Sequence, residues 1–581
     1  MRRDNWQNLN GLWDYAITDK TSIKDQVNRW DGQILVPYPV ESALSGVKRP
    51  LSPNQQIFYH RTFSLPEKWI VKLTNHRILL HFGGVDWKTT VWINNNQVCE
   101  HTGGDTPFTI DITEFLSGGV KKTHELVVAV WDPTDQGRQQ RGKQKLKPHT
   151  IFYNAMSGIW QTVWLECVSD PYIQYILPES DIDQNELGLK IEISSQKPIQ
   201  KEIFLKMGIK DDCSLIIEKT LLLDENICNI TVPLKNPKLW SPASPFLYDL
   251  ELSLIQDGIE IDHVASYFGM RKIGVKLDSH GIPRIELNNH ILFQYGLLDQ
   301  GWWPDGLYTA PTDQALRWDL EITKAMGFNM VRKHVKVEPA RWYYHCDVLG
   351  LLVWQDMPSG GTYGNWIWPL QMLIGFVFKR AVLSGRKTDE ERTLFYTELH
   401  EMVRALAHFP SLITWVPFNE GWGQFQTREV TSYLRSIDKT RLIDSASGWV
   451  DYQTGDIYSI HRYPGPAISK RKSKDDRALA LSEFGGFGFP LKNHTWQTKR
   501  KKWGYKNIDS ALKLKTHYQQ LIVQLQKLIP KGLNAAVYTQ TTDVEQEVNG
   551  LISYDREEIK LDPAWLKALH QSLYSLKDVD P

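Results

Sequence analysis

Over the first part of the chain, apolar residues come in short runs that stop at turn residues. Arg77 to Phe82 runs into Gly83-Gly84, and Thr90 to Ile93 runs into Asn94-Asn95-Asn96. Leu126 to Trp131 forms a third run of the same kind. Runs of this length, bounded by glycine and asparagine, predict strands. No stretch here carries the period of a long helix. Residues 1–170 therefore read as an all-β domain, a sandwich of the jelly-roll type. The next hundred residues keep that texture with shorter runs, at Ile191 to Ser194, Glu202 to Met207, Thr220 to Leu223 and Tyr248 to Leu254. Their size and spacing predict a second, smaller sandwich like an immunoglobulin domain over residues 171–275.

From residue 276 to 581 the pattern changes. Apolar runs now alternate with helical stretches such as Asp313 to Met326 and Glu391 to Ala407. The runs are Leu292 to Tyr295, Asn329 to Arg332, Leu351 to Trp354, Leu412 to Trp415, Arg441 to Asp444, Asp456 to Ser459, Ala478 to Leu481 and Ala535 to Tyr538. Eight strand–helix units in about 300 residues predict a (β/α)8 TIM barrel. The fold class expected is thus a jelly-roll sandwich, an immunoglobulin-like sandwich and a C-terminal barrel. The basic stretch Lys470 to Lys474 reads as a solvated loop.

Composition narrows the function. Lysine plus arginine equals aspartate plus glutamate, 67 each, so the net charge is zero. That disfavours nucleic acid or an anionic membrane surface as a partner. The 23 tryptophans fill sandwich cores, and indoles also stack on sugar rings. The five cysteines, Cys99, Cys167, Cys213, Cys228 and Cys346, show no metal-ligand spacing and read as free thiols. No apolar stretch follows Met1-Arg2-Arg3-Asp4-Asn5-Trp6, and no run has the length of a membrane span. A cytoplasmic location is expected, or a periplasmic or secreted one where a leader has been removed. Oligomeric state is not legible, and a homo-oligomer stays open. With no His-Glu-x-x-His, no cysteine pair, no calcium loop and no glycine-rich nucleotide loop, neither metal nor cofactor is expected.

Two strings carry the chemistry: Trp415-Val416-Pro417-Phe418-Asn419-Glu420-Gly421-Trp422-Gly423 and Leu481-Ser482-Glu483-Phe484-Gly485-Gly486. Each sets one glutamate at the end of an apolar run. By barrel counting, Glu420 follows the fourth strand and Glu483 the seventh, both at the C-terminal rim where barrel active sites are built. Glycosidic cleavage needs two carboxyl groups facing one cleft, one to protonate the leaving oxygen and one to attack the sugar or activate water. The proton donor must have its pKa raised by burial or by a neighbouring negative charge. Glu420, with Trp415, Phe418 and Trp422 close in sequence, is the candidate acid, and Glu483 the ionised partner. Either glutamate alone would more often be a surface ion pair.

The chain resembles glycoside hydrolase family 2, the family of β-galactosidases, β-glucuronidases and β-mannosidases. The likeness lies in Gly83-Gly84-Val85-Asp86 through Gly103-Gly104-Asp105-Thr106-Pro107-Phe108 to Phe115, and in Ser157-Gly158-Ile159-Trp160-Gln161-Thr162-Val163-Trp164-Leu165-Glu166. It continues in Asn236-Pro237-Lys238-Leu239-Trp240-Ser241-Pro242, Phe268-Gly269-Met270-Arg271, Gly327-Phe328-Asn329-Met330-Val331-Arg332 and Cys346-Asp347-Val348-Leu349-Gly350-Leu351-Leu352-Val353. The resemblance implies that Glu420 is the acid/base and Glu483 the nucleophile. It implies that Asn419 bonds the sugar 2-hydroxyl, that Arg332 steadies Glu483 and that Tyr463 donates to it. His334 and His461 lie near the same rims and line the pocket or only pack. Asp356, after strand three, bonds a sugar or only a backbone amide.

The chain also departs from its relatives. Several carry an aspartate a few residues before the Ser-Gly-Ile that ends the jelly roll. Here the run is Phe152-Tyr153-Asn154-Ala155-Met156, with Asn154 the substitute. Strand eight often carries a tryptophan under the sugar, where this chain has Tyr538-Thr539-Gln540. The Asn-x-Lys of β-glucuronidases becomes Asn549-Gly550-Leu551, which counts against glucuronides. The expectation is a retaining exo-β-glycosidase acting on oligosaccharides or simple glycosides. A galactoside comes first, and an arabinoside, xyloside, galactofuranoside, glucuronide or mannoside stays open. The alternative from another class is a non-catalytic carbohydrate-binding protein.

Overall fold

A computed structural model describes residues 1–70, 75–116, 122–196, 202–361, 385–468, 475–496 and 502–574. The basic run at Lys470 to Lys474 lies outside them. The chain divides into two compact units. The first comprises Met1–Pro133, Ser157–Arg271 and Ala407–Pro410. The second comprises Thr134–Met156, Lys272–Leu406 and Ser411–Pro581.

The first unit is all sandwich. A six-stranded sheet is built around Gln55–Phe63 and His124–Trp131, and a four-stranded sheet around Val163–Ser169 and His76–Phe82. Alternate residues of each strand turn inward, as the pleat dictates. Trp13, Tyr59, Val91 and Val128 of one sheet and Leu80, Phe82 and Leu165 of the other form one core. A second, smaller sandwich follows, with a three-stranded sheet centred on Glu186–Ser194 and a four-stranded sheet centred on Ile203–Asp211 and Tyr248–Gln256. Its core holds Leu189, Ile191, Leu205, Met207, Leu250 and Leu252.

The second unit holds the barrel. Its strands are β1 (Gln294–Asp299), β2 (Met330–Lys333), β3 (Leu352–Asp356), β4 (Leu412–Val416), β5 (Leu442–Ile443), β6 (Ile457–Arg462), β7 (Ala478–Gly485) and β8 (Leu533–Thr539). They pair in parallel in the order β5-β4-β3-β2-β1-β8-β7-β6. Each of the eight apolar runs predicted from the sequence falls on one of them. Across the seam between β5 and β6, the Asp456 N–H donates to the Ile443 carbonyl at 2.8 Å.

Helices pack outside the strands. The helix Ala511–Leu528 starts at Ser510, whose hydroxyl accepts from the Lys513 N–H, and turns Leu514, Tyr518, Leu521, Ile522 and Leu525 inward. That spacing is one face of an α-helix. It meets Tyr295, Leu297, Phe484 and Tyr538 of the strands in a single apolar layer. Each fully buried leucine or isoleucine there is worth about 1.5–3 kcal/mol. All five cysteines are free. Among the described residues no helix is long and apolar enough to cross a membrane.

Candidate active site

Glu483 sits inside β7, and the register of β7 slips on both sides of it. The slip falls between Ile460 and His461 on the β6 side, and between Leu481 and Phe484 on the β8 side. Such irregularities re-aim side chains. Glu483 is 4% exposed, and cationic and hydroxyl donors meet its carboxylate. Arg332 Nη1 donates to Oε1 at 3.1 Å, Tyr463 Oη donates to Oε2 at 2.7 Å, and His461 Nδ1 lies 3.5 Å from Oε2. Burial alone would raise the pKa of this carboxyl. The charges of His461 and Arg332, with the Tyr463 hydrogen bond, outweigh burial and hold it well below the usual glutamate range.

Arg332 is fully buried and ties the floor together. Nε and Nη2 donate to the two Asp356 oxygens, each at 2.9 Å, in a fork that matches a carboxylate. Nη2 also donates to Asn419 Oδ1 at 2.9 Å, and Nη1 to the Ser482 carbonyl at 3.1 Å. Asp356 has a further contact, 2.8 Å from His334 Nδ1. Desolvation, with the nearby positive charge of Lys143, pushes the basicity of His334 well below that of an ordinary histidine. The charges that depress Glu483 are chiefly those of His461 and Arg332.

Glu420 follows β4 by four residues, and its φ of +52° is left-handed. A non-glycine residue held there stores about 1–3 kcal/mol, which its surroundings must over-determine. Here the Glu420 N–H donates to the Ser447 carbonyl at 2.8 Å, and the Trp422 N–H to the Asn419 carbonyl at 2.8 Å. Glu420 Oε1 lies 2.8 Å from His461 Nδ1, and the Nε2 of that ring lies 2.8 Å from Ser447 Oγ. His461 thus stands between the two glutamates. One carboxylate oxygen of Glu420, one of Glu483 and one His461 nitrogen lie within 4.8 Å of one another. These three could also hold a cation, as could His494, Asp555 and Glu557, the other such group among the described residues.

The neighbours expected from sequence divide. Glu420, Glu483, Asn419, Arg332, Asp356, His334, His461 and Tyr463 come together. Trp422 belongs with them, its ring centroid 6.4 Å from His334 and 6.0 Å from Phe152. Trp415 does not, because its Nε1 donates to Asp438 at 2.8 Å. Phe418 also turns away and stacks on Phe395 at 5.3 Å. Asn154 reaches this unit, its N–H donating to Glu545 Oε1 at 2.6 Å. Tyr538 lies elsewhere, in the layer between strands and helices, edge-on to Phe484 and Tyr518. Strand alternation turns its neighbour Thr539 the other way, and Thr539 Oγ1 lies 2.8 Å from Tyr463 Oη. Ser447, Thr539 and Tyr505, whose ring stacks on Tyr463 at 3.4 Å, carry no sequence signal of their own.

A parallel barrel with a buried carboxylate pair at its rim defines a class of glycosidase-like proteins. Sequence comparison is more specific. Residues 33–168 match "Glycosyl hydrolases family 2, sugar binding domain", residues 168–271 match "Glycosyl hydrolases family 2", and residues 309–472 match its TIM barrel domain. The chain belongs to glycosyl hydrolase family 2. A β-galactosidase of Thermoanaerobacter pseudethanolicus is 23% identical over 454 residues, covering 75% of this chain and 55% of that protein. The chain spans about half the length of the curated relatives it matches. Among solved structures, a β-D-glucuronidase of Dictyoglomus thermophilum aligns with a TM-score of 0.74 at 17% identity, covering 100% of this chain and 99% of that one. A β-galacturonidase of Eisenbergiella tayi aligns with a TM-score of 0.70 at 18% identity, covering 98% and 96%. At such identities the likeness shows a shared fold.

Proposed function

We propose that this protein is a retaining exo-β-glycosidase that removes a non-reducing terminal sugar by double displacement. The observation that carries the reading is the glutamate pair, with carboxylate oxygens within 4.8 Å, His461 shared between them, and the Arg332 guanidinium and Tyr463 hydroxyl donating to Glu483. A retaining mechanism needs carboxyl groups about 5–5.5 Å apart, whereas an inverting one needs about 6.5–9.5 Å to admit water.

Glu483, kept ionised by Arg332 and Tyr463, attacks the anomeric carbon. The glycosidic C–O bond breaks as Glu420 gives its proton to the departing oxygen. A glycosyl ester of Glu483 remains. Glu420, now ionised, takes a proton from water, whose oxygen displaces Glu483 and restores both groups. Asn419 has its Oδ1 committed to Arg332, so its two N–H donors are what it can offer a sugar hydroxyl. The exo assignment draws support from the segment Thr134–Met156, which belongs to the barrel's compact unit. Its Phe152 packs on Trp422, and Arg141 Nη2 donates to the Gly361 carbonyl at 2.9 Å. A segment fixed in this way walls one side of the rim.

Glu420→Ala tests the division of labour. Dinitrophenyl glycosides need no proton on the leaving group, so their first step should be spared, and azide should restore turnover and give a β-glycosyl azide. Equal loss on every substrate with no rescue would refute the role of Glu420.

A further inference from the structure

The segment Thr134–Met156 carries a cation that the acid–base chemistry does not use. Lys143 is 5% exposed, and among the described residues its Nζ makes no hydrogen bond and no ion pair. It lies over the face of Tyr153, 5.5 Å from the ring centroid. Its neighbours are engaged: Arg141 with Gly361, and Lys145 with Asp135 at 3.2 Å. The acids of the loop after β8 are engaged too. Asp543 pairs with Lys560, Glu545 takes the Asn154 N–H, and Glu547 accepts from Tyr153 and Asn549.

The backbone fixes where Lys143 stands. A Cβ on Gly142 would lie 2.7 Å from the Val335 carbonyl oxygen, so the chain just before Lys143 is pressed against the residue that follows His334. His334 contacts Asp356, Asp356 holds Arg332, and Arg332 holds Glu483. The effect of the Lys143 charge on His334 agrees with that placement. From the other side of the segment, Phe152 packs on Trp422 and Trp422 on His334. The ammonium therefore belongs to the wall of the candidate active site.

Its Nζ is not among the fully enclosed polar atoms that lack a partner, so it opens onto the site rather than into the core, and a charge so largely withdrawn from water is ordinarily paired. An unpaired ammonium in the wall of a substrate site finds its counter-ion in the substrate. We propose that Lys143 receives an anionic substituent on the terminal sugar, a carboxylate or a sulfate ester, and makes acidic glycosides the preferred substrates. This rests on the glycosidase reading above. It puts an acidic sugar ahead of the galactoside that motif resemblance alone puts first. The cation that the Asn549-Gly550-Leu551 run lacks comes from a different segment of the chain.

The test compares wild type, Lys143→Met and Lys143→Arg on nitrophenyl β-D-glucuronide, β-D-galacturonide, 6-sulfo-β-D-galactoside and the neutral glucoside and galactoside. Wild type should show a higher kcat/KM on a uronide or the sulfated sugar than on its neutral parent, and the two acidic arms identify the anion. Lys143→Met should lower that acidic-to-neutral ratio by roughly 10- to 100-fold, the range for a hydrogen bond to a charged group. Lys143→Arg should keep most of the ratio. A preference for neutral sugars in wild type, or a ratio that Lys143→Met leaves unmoved, overturns the proposal. If wild type hydrolyses none of the glycosides, the glycosidase reading fails and calorimetry decides on Lys143 by itself. Glucuronate, galacturonate or galactose 6-sulfate binding more tightly than its neutral sugar, with the preference lost in Lys143→Met, upholds it. No preference for acid overturns it.

Discussion

Arg332 organises the candidate site through one planar group. Its donors reach Asp356, Asn419 and Glu483 at once, so side chains from β3, the loop after β4 and β7 share one geometry. Tyr463 completes the cradle and can be tested alone. As the proposed nucleophile Glu483 must be ionised, and the Tyr463 hydroxyl favours the ionised form. Tyr463→Phe removes that donor, so the pKa of Glu483 rises. The acid limb of the kcat/KM profile should then move to higher pH by about 0.5–1 unit, and kcat should fall about 10- to 100-fold. A pH–rate profile with an unmoved acid limb would contradict the assignment. The two glutamates were legible as candidates because each ends an apolar run, whereas Asn419, Arg332 and Tyr463 were legible only through the family resemblance. The contact of His461 with Glu420 was not legible, because the two lie 41 positions apart and meet only in three dimensions. Tyr538 looked like site lining because relatives often carry a tryptophan under the sugar on strand eight, but strand alternation gives that place to Thr539. Lys143 was invisible because a lysine among other basic residues reads as solvated surface.

Among the elements, the barrel strands were the easiest to read. Buried on both faces, they appear as continuous apolar runs. The way the ladder bends around Glu483 leaves no such trace. Gly485 follows in β7 with φ +85°, and a Cβ there would lie 2.5 Å from Tyr538 Cδ2. Gly485→Ala should cost about 2–4 kcal/mol through backbone strain and overpacking, read as a lower midpoint in denaturant unfolding. The β5–β6 seam relies on side chains as well. Asp456 Oδ2 accepts from the Ile443 N–H at 2.8 Å and also pairs with Arg435. Asp456→Ala leaves the Ile443 N–H without that partner and should lower stability by about 1–3 kcal/mol. Hydrogen exchange should quicken first at Ile443 and its neighbours. Exchange unchanged there would contradict a closing role.

At the scale of the molecule, buried acids set part of the pH dependence. Asp444 at the end of β5 is fully buried, and desolvation raises its pKa to about 6 despite the Ser459 hydrogen bond and the Arg332 charge. A carboxyl of raised pKa favours the folded state most when protonated. Its contribution is therefore complete below the ordinary value near 4 and is lost as pH rises through about 6, a loss of order 3 kcal/mol. Asp444→Asn does not titrate, so its stability relative to wild type should climb by about 2–3 kcal/mol between pH 4 and pH 7. A difference independent of pH, measured by denaturant midpoints, would show that Asp444 ionises freely. The three-part architecture was plain in the alternation patterns. The membership of Thr134–Met156 in the barrel's unit was not. Its apolar residues Ile151 and Phe152 find their partner in Trp422, some 270 positions along the chain.

The central claim is that Glu483 forms a covalent bond to the sugar. A dinitrophenyl 2-deoxy-2-fluoro glycoside of a sugar the protein accepts slows both steps, and its good leaving group keeps the first step the faster. Peptide mass spectrometry of the inactivated protein should find one fluoroglycosyl group, on Glu483 in the peptide that contains Leu481 to Gly486. A label on Glu420 or any other residue, or turnover with inversion and no label, would contradict the account.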